Sequence, residues 1–566
     1  MRYRTGAALI VAAALLSGGF AGATAKPAAR EAVAAEPLYG TDNPFAAEAI
    51  YFALTDRFVD GDPSNNQVDQ GKPDHGTFNR DLVGPHGEHD NIGYLGGDFK
   101  GVLDNAGYIA EMGFTSLWLT PIVDNPDAAF SGSEPVTYGA GYLDGGKTGY
   151  HGYWGVNFYK LDEHLPSKDL DFRQFVKALR QRYGLKFILD IVGNHGSPAY
   201  TMPVTQPEFG KLYDEAGRLV ADHQNLRPEQ LDPTNPLHQF YNRKPGLSVL
   251  SDLDPDNPKV VDYLVGSYLK WIDQGVYAIR IDTVKEQPNY FWKQVLDRIR
   301  ARHPGIFAFG ESFSYEADFI AQHTKPENGG MSVLDFPGRK AMASVFEHQD
   351  SDYQDILGYL NLESGVYRNP YELVTFYDNH DMARLNAGDA GHIDADNWLF
   401  TSRGIPAIYY GSEVSFMPGA AEHFGNRNYF GPEGIAAARK SPVRQALSTI
   451  AHIRGRNVSL QKGLQLNLRF VGQTAAFYRI YQKDGVNQTA LVMLNKGDTP
   501  QTITLDTLVQ PGAWREQVTG AARTVAPGAK AFAAEVPAHG VRVFVRDAPL
   551  TDPALLARAR QLMQRR

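Results

Sequence analysis

Tyr277-Ala-Ile-Arg280-Ile-Asp282 is an apolar, strand-like run that ends on charge, and it is one of four such runs in the chain. Phe187-Ile-Leu-Asp190-Ile-Val-Gly-Asn194-His195 precedes it. Phe307-Ala-Phe-Gly310-Glu311 and Val374-Thr-Phe-Tyr-Asp-Asn379-His380-Asp381 follow it. Near-continuous hydrophobic runs suit strands covered by helices on one face and by a packed interior on the other. Polar and charged groups at the carboxyl ends of successive buried strands are what a (β/α)8 barrel needs to build one site from distant parts of a chain. Any one strand-end Asp is most often a loop cap; the four runs in this order point to carboxylate-based cleavage of a sugar linkage.

Working outward, the runs Ile50–Phe52, Leu117–Thr120, Val333–Phe336 and Ala407–Tyr410 bring the strand count to eight. Between them Phe172, Phe175, Val176 and Leu179 repeat at helical spacing, as do Val261, Leu264, Val265 and Tyr268 after an Asn257-Pro258 start. Strand and helix in alternation make a parallel sheet. Two regions break the alternation. Residues 196–252 are rich in Pro, Asn, Gln and Tyr, too long for a plain connection of about 2 to 6 residues, and are expected to form a subdomain inserted after strand 3. After about Ser459 the period changes to two, at Leu464, Leu466, Leu468 and Phe470 and again at Val541, Val543 and Val545. The expected architecture is therefore α/β: a TIM barrel over 26–195 and 253–458, the insertion over 196–252, an antiparallel β-sandwich over 459–548 and a basic-ended helical tail over 549–566.

The 566 residues, 43% hydrophobic and 21% charged, suit one large core plus a smaller domain. The net charge of -9, with no basic run in the body of the chain, disfavours nucleic acid as a partner. A neutral ligand fits better. Arg2 and Arg4 before the apolar run Ala7–Leu16, then Ala23-Thr24-Ala25, predict a cleaved export signal over 1–25 and a secreted or periplasmic product beginning near Lys26. No second apolar span predicts a membrane segment, and a monomer is expected. With 0 cysteines, stability in an oxidising compartment has to come from core size or bound metal.

In order and spacing, these segments resemble glycoside hydrolase family 13, the α-amylase family. Tyr150-His-Gly-Tyr153-Trp154, Leu250-Ser-Asp252-Leu-Asp254 and Gly404-Ile-Pro-Ala-Ile-Tyr-Tyr-Gly411 extend the match from about Ala49 to the sandwich. The resemblance implies Asp282 as nucleophile, Glu311 as acid/base and Asp381 as the group that stabilises the oxocarbenium-like transition state. The residues support this independently. Cleavage with retention needs one carboxylate to attack and one carboxylic acid to protonate the leaving oxygen, about 5 to 5.5 Å apart. Arg280, two residues before Asp282 on the same side of a strand, favours the ionised form a nucleophile needs. The apolar run before Glu311 favours a retained proton. Expected substrate contacts are His195 and His380 on sugar hydroxyls, Tyr153 under a sugar ring, Lys285, Arg280 beside the nucleophile and Arg384 on a more distant glucose. Asp190 and Arg280 also suit a structural ion pair that supports the nucleophile.

Asp60-Gly-Asp62-Pro-Ser-Asn65-Asn66 packs four Asp and Asn side chains into a short run, and such hard oxygen donors suit Ca2+. An Asx-rich turn is the alternative. With Gly96 and Asp98 the segment resembles a calcium loop of the cyclodextrin glucanotransferases. A second site implied by the family would use Asn194, Asp252 and the backbone carbonyl of Glu286. Three departures stand out: Glu286 where most α-amylases carry His, Ser251 where Pro is usual, and too little chain for the extra C-terminal domains of cyclodextrin glucanotransferases. The expectation is hydrolysis of α-1,4 links in starch, maltodextrin and related α-glucans. The alternatives are transglycosylation, or action on cyclodextrins or maltooligosaccharides. A binding protein that has lost catalysis fits less well, because all three carboxyl residues are present.

Overall fold

The computed structural model describes residues 37–72 and 76–564; the expected export signal lies outside them. Eight strands form the barrel: β1 Ile50–Ala53, β2 Ser116–Leu119, β3 Lys186–Ile191, β4 Ala278–Ile281, β5 Phe307–Gly310, β6 Ser332–Val333, β7 Val374–Thr375 and β8 Ile405–Tyr409. Their order is β6-β5-β4-β3-β2-β1-β8-β7, every pair is parallel, and a parallel bridge between Leu334 and Val374 spans the gap between β6 and β7. These are the eight runs expected from the sequence, several of them trimmed. The run at Val333–Phe336 stops after Val333 because Asp335 caps the helix Phe336–Phe346, accepting from the Gly338 amide at 3.0 Å, and Pro337 has no amide to offer a neighbouring strand. β4 stops before Thr283, whose φ of +46° turns the chain out of the sheet.

The helix Pro258–Ile272 starts where expected, with Asn257 accepting from the Lys259 amide. Its neighbour Phe172–Ala178 lays Phe172 and Phe175 against Phe187 of β3, with ring centroids 5.4 and 5.8 Å apart. Truncating Phe187 to Ala would open a cavity here and cost about 3–5 kcal/mol. The region after β3 folds on its own short pairings: His195–Pro198 runs antiparallel to Leu250–Asp252, and Lys211–Tyr213 pairs with Leu219–Asp222.

The C-terminal strands are antiparallel: β9 Leu464–Val471, β10 Thr474–Lys483, β11 Val486–Asn495, β12 Gln501–Leu505, β13 Gly512–Glu516, β14 Ala522–Val525, β15 Phe532–Val536 and β16 Gly540–Arg546. Six of them form the sheet β9-β10-β11-β16-β13-β14, and β12 pairs with β15. The helix Pro553–Gln564 buries Leu555, Ala559 and Leu562 in the core that these strands share. The basic-ended tail is thus part of the sandwich packing.

Candidate active site

Arg280 is fully buried in β4, and the parallel register sets it level with Asp190 of β3 and Phe309 of β5. One guanidinium nitrogen donates to Asp190 Oδ1 at 2.9 Å and to Asp282 Oδ1 at 2.8 Å; the other donates to Glu311 Oε2. Asp190 also accepts from Trp118 Nε1 at 2.9 Å and from the Tyr153 hydroxyl at 3.0 Å. A buried charge persists only where it is paired and hydrogen-bonded, and here one cation serves three carboxyl groups. Burial pushes Asp190 up to about 7. Burial also pushes Glu311 well above the usual carboxyl range; Arg280 opposes this, and the charges of Asp381 and Asp282 add to it. A carboxyl group that keeps its proton near neutral pH can donate it to a leaving oxygen.

Asp282 and Glu311 thus hang from two nitrogens of one guanidinium at the carboxyl ends of adjacent strands. Both open into a cavity of about 380 Å³ that Tyr153, His195, Lys285, His380 and Asp381 also line. That volume suits a small-molecule or oligosaccharide site. Thr283, next to the Asp282 carboxyl, holds a left-handed φ of +46°, strain in a β-branched residue of the kind that collects at functional sites. Tyr153 stacks on His380 with centroids 5.3 Å apart and 8° between planes. Burial lowers His380 well below the usual imidazole range and lowers His195 as well. A neutral imidazole both donates and accepts, as sugar hydroxyls require.

Two expected substrate contacts are corrected. Arg384 does not reach the cavity: its buried guanidinium donates to the Tyr410 carbonyl at 2.9 Å and to Asn426 O at 2.9 and 3.2 Å, and it packs over the Tyr409, Tyr410 and Phe416 rings. It ties down the loop after β8. Arg280 lies beneath the carboxyl groups, shielded from any sugar, and acts only through them. Lys285 keeps its place, its Nζ 3.3 Å from the Phe313 carbonyl at the cavity wall.

The cavity is also lined by His151, Asp144, Lys147, Leu247, Ser248, Phe313, Glu422 and Arg427, none of which ends a strand-like run. Arg427 donates to Asp381 Oδ1 and to the His380 carbonyl, both at 2.9 Å. His151 falls inside the Tyr150–Trp154 motif and was within reach of sequence reasoning. For the others the sequence carries no local signal.

The two expected metal sites differ. In the first, Asp60 Oδ1, Asn65 Oδ1 and Asn66 Oδ1 are all buried without a hydrogen-bond partner. Asn65 and Asn66 turn their amide nitrogens to Asp98 and Asp60 instead, at 3.1 and 2.8 Å. Gly96 has φ +91°, and a Cβ there would stand 2.6 Å from Asn66 Oδ1. Orphaned oxygens around a cradle that only glycine leaves open fit a hard cation. Asp62 and Asp98 depart from this set: Asp62 Oδ1 accepts from the Ser64 amide and hydroxyl, capping the turn Pro63–Asn65, and Asp98 caps the helix Phe99–Asp104, its Oδ1 accepting from the Gly61 and Gly101 amides and its Oδ2 from Asn65 Nδ2. In the second site, Asp252 accepts from Asn194 Nδ2 at 3.0 Å and from the Leu247 amide at 2.9 Å, so protein donors already engage both carboxylate oxygens. Asn194 and Asp252 meet, and the Glu286 charge acts on Asp252, but the cation fit of the first site is missing. Among the described residues no three His, Cys, Asp or Glu side chains converge to hold a metal, so the first site is amide-rich.

Comparison with known proteins agrees with this geometry. Residues 52–447 match the model of the α-amylase catalytic domain. The chain is 29% identical over 532 residues to a cyclomaltodextrin glucanotransferase of Bacillus sp. strain 1-1, covering 90% of this chain and 69% of that one. It is 30% identical over 498 residues to that of Bacillus licheniformis, covering 84% of this chain and 63% of the relative, so it spans less than two thirds of the latter's length. Among solved structures, an Anoxybacillus α-amylase superposes with a TM-score of 0.68 at 26% identity, covering 90% of this chain and 99% of that one. A cyclomaltodextrin glucanotransferase described as having a three-domain distribution superposes with a TM-score of 0.69 at 27% identity, covering 88% and 99%.

Proposed function

This chain belongs to the α-amylase family of glycoside hydrolases, and from that premise we propose that it cleaves α-1,4-glucosidic bonds of starch, maltodextrin and related glucans with retention of configuration. The observation that carries this reading is the pairing of Asp282 and Glu311 on one buried guanidinium, at the edge of a cleft that also holds Asp381. Asp282 attacks the anomeric carbon while Glu311 gives its proton to the departing oxygen, which forms a glycosyl-enzyme. Glu311, now ionised, takes a proton from water, and the hydroxide oxygen displaces Asp282. Asp381 faces the positive charge that develops on the sugar ring in both steps. His195 and His380 bond its hydroxyls, and Tyr153 offers the ring a face.

The test is the anomeric form of the first product from maltoheptaose, followed by NMR before mutarotation. The α-anomer is expected; a β-anomer would overturn the double displacement. A second reading has a specific observation in its favour: the curated relatives are named as glucanotransferases, in which a sugar hydroxyl in place of water resolves the glycosyl-enzyme. A similar structure described as having a three-domain distribution carries that name too. A product time course on starch, maltoheptaose and cyclodextrin separates the two. Reducing ends that accumulate steadily support hydrolysis; cyclic sugars, or sugars longer than the starting chain, support transfer. The proposal includes a calcium ion held by Asp60, Asn65 and Asn66 in the cradle at Gly96, and export of the chain after removal of residues 1–25.

A further inference from the structure

The loop after β8 brings Glu422 and Arg427 to the cleft, and the loop after β2 brings Asp144 and Lys147. Glu422 Oε1 takes Lys147 Nζ at 2.9 Å and Arg427 at 2.8 Å, with His423 Nε2 at 3.6 Å. Arg427 stands between two carboxyl groups: one terminal nitrogen is on Glu422, the other on Asp381 at 2.9 Å, and its Nε is fixed by the His380 carbonyl. The Lys147 and Arg427 side chains are only 6% and 7% exposed, so solvent screens this network weakly. Without Lys147, Asp144 would lose its ion-pair partner, and Glu422 and Asp381 would share the contacts of Arg427 alone.

We infer that Lys147 is a positioning residue: by giving Glu422 a second cation it leaves Arg427 to serve Asp381, and so keeps that carboxyl group charged beside the substrate. The inference rests on the role proposed above for Asp381. Burial pushes Asp381 up to about 6, Arg427 and Arg280 pull it down, and Glu422 and Asp282 push it further up. His380, 3.3 Å away, Glu311 and Tyr153 are the other titratable groups facing it. Glu422 faces Lys147, Arg427, His423 and His151, with Asp90 behind His423 at 3.3 Å.

Asp381 has to be ionised to stabilise positive charge, so activity falls as pH drops through its pKa, the acid limb of kcat/KM. Lys147→Met lets Glu422 draw Arg427 away and moves that limb up, by about half a unit to one unit. Glu422→Gln removes a negative neighbour, frees Arg427 for Asp381 and moves the limb down by a similar amount. Lys147→Arg restores the wild-type profile. A merely structural role would lower activity in both variants without moving the limb in opposite directions. The profiles are measured on maltoheptaose from pH 4 to 9. In parallel, the Asp381 carboxyl is titrated by infrared difference spectroscopy in resting protein, its band assigned with Asp381→Asn. An acid limb and an infrared titration that stay in place in both variants, or shift the same way, overturn the inference. A wild-type protein inactive on every α-glucan overturns the functional reading instead and leaves this inference to the infrared measurement.

Discussion

Glu311 carries two conflicting environments. Burial raises its proton affinity while the Arg280 guanidinium lowers it, and burial dominates. Its reactive form in the first step is the protonated one, so kcat is expected to fall as pH rises through its pKa, giving the basic limb of the profile. Glu311→Gln keeps the shape and the hydrogen bonding but has no proton to give. We expect kcat to drop about 10²- to 10⁴-fold with KM little changed, and the basic limb to vanish from what activity remains. Steady-state kinetics across pH on a substrate with a poor leaving group checks both; a variant with the wild-type rate sinks the assignment. Residue by residue, the strand-end rule named Asp282, Glu311, His195, His380 and Asp381, which line one cavity, whereas the separate expectation for Arg384 is not met. A lone Arg after a strand end carries no sign of whether it points into the cleft or back under it, and only the carbonyls of Tyr410 and Asn426 decide that.

At the scale of elements, the barrel strands were legible because each is a continuous apolar run, and the insertion was legible as a gap in the alternation. The loops were not. Lys147 meets Glu422 across 275 positions and Arg427 meets Asp381 across 46, so no periodicity within a window records either contact. The loop Asp60–Asn66 lies between these cases: its composition announced oxygen donors, but only the fold separates Asp62, which caps a turn, from the oxygens of Asp60, Asn65 and Asn66 that stand unpartnered. A cation bound only by the folded loop stabilises it by mass action, about 2.7 kcal/mol when free ion exceeds its Kd a hundredfold. Exhaustive chelation is therefore expected to lower Tm, and added calcium to restore it. Asn66→Ala should have a lower Tm to begin with and little further response to chelator. Calorimetry that shows the same Tm for wild type before and after chelation removes calcium from this loop.

At the scale of the molecule, the sandwich is joined to the barrel by buried polar contacts. Arg479 of β10, fully buried, donates to the Thr401 carbonyl at 2.7 Å, at the end of the barrel helix Asp389–Thr401. Lys496 donates to the Gln349 carbonyl at 2.9 Å. Between them His539, just before β16, bonds Asp394 of that helix at 2.8 Å and Asp498 at 3.0 Å. Its bond to Asp394 raises the imidazole to about 9, against burial. Burial pushes Asp394 itself up to about 6, with His539 opposing, so the carboxylate is ionised throughout the window in which the imidazole titrates. The folded imidazole binds its proton more tightly than the unfolded one, whose pKa is about 6.5. Its contribution is therefore complete below that value and is lost as pH rises through about 9. The ring stays partly open to water, so its worth is no more than about 1 kcal/mol. His539→Gln is expected to lower urea stability at pH 7 by up to that amount and to match wild type at pH 10. A deficit of equal size at both pH values would mean that the ring acts by packing, and the charge link between barrel and sandwich would fall.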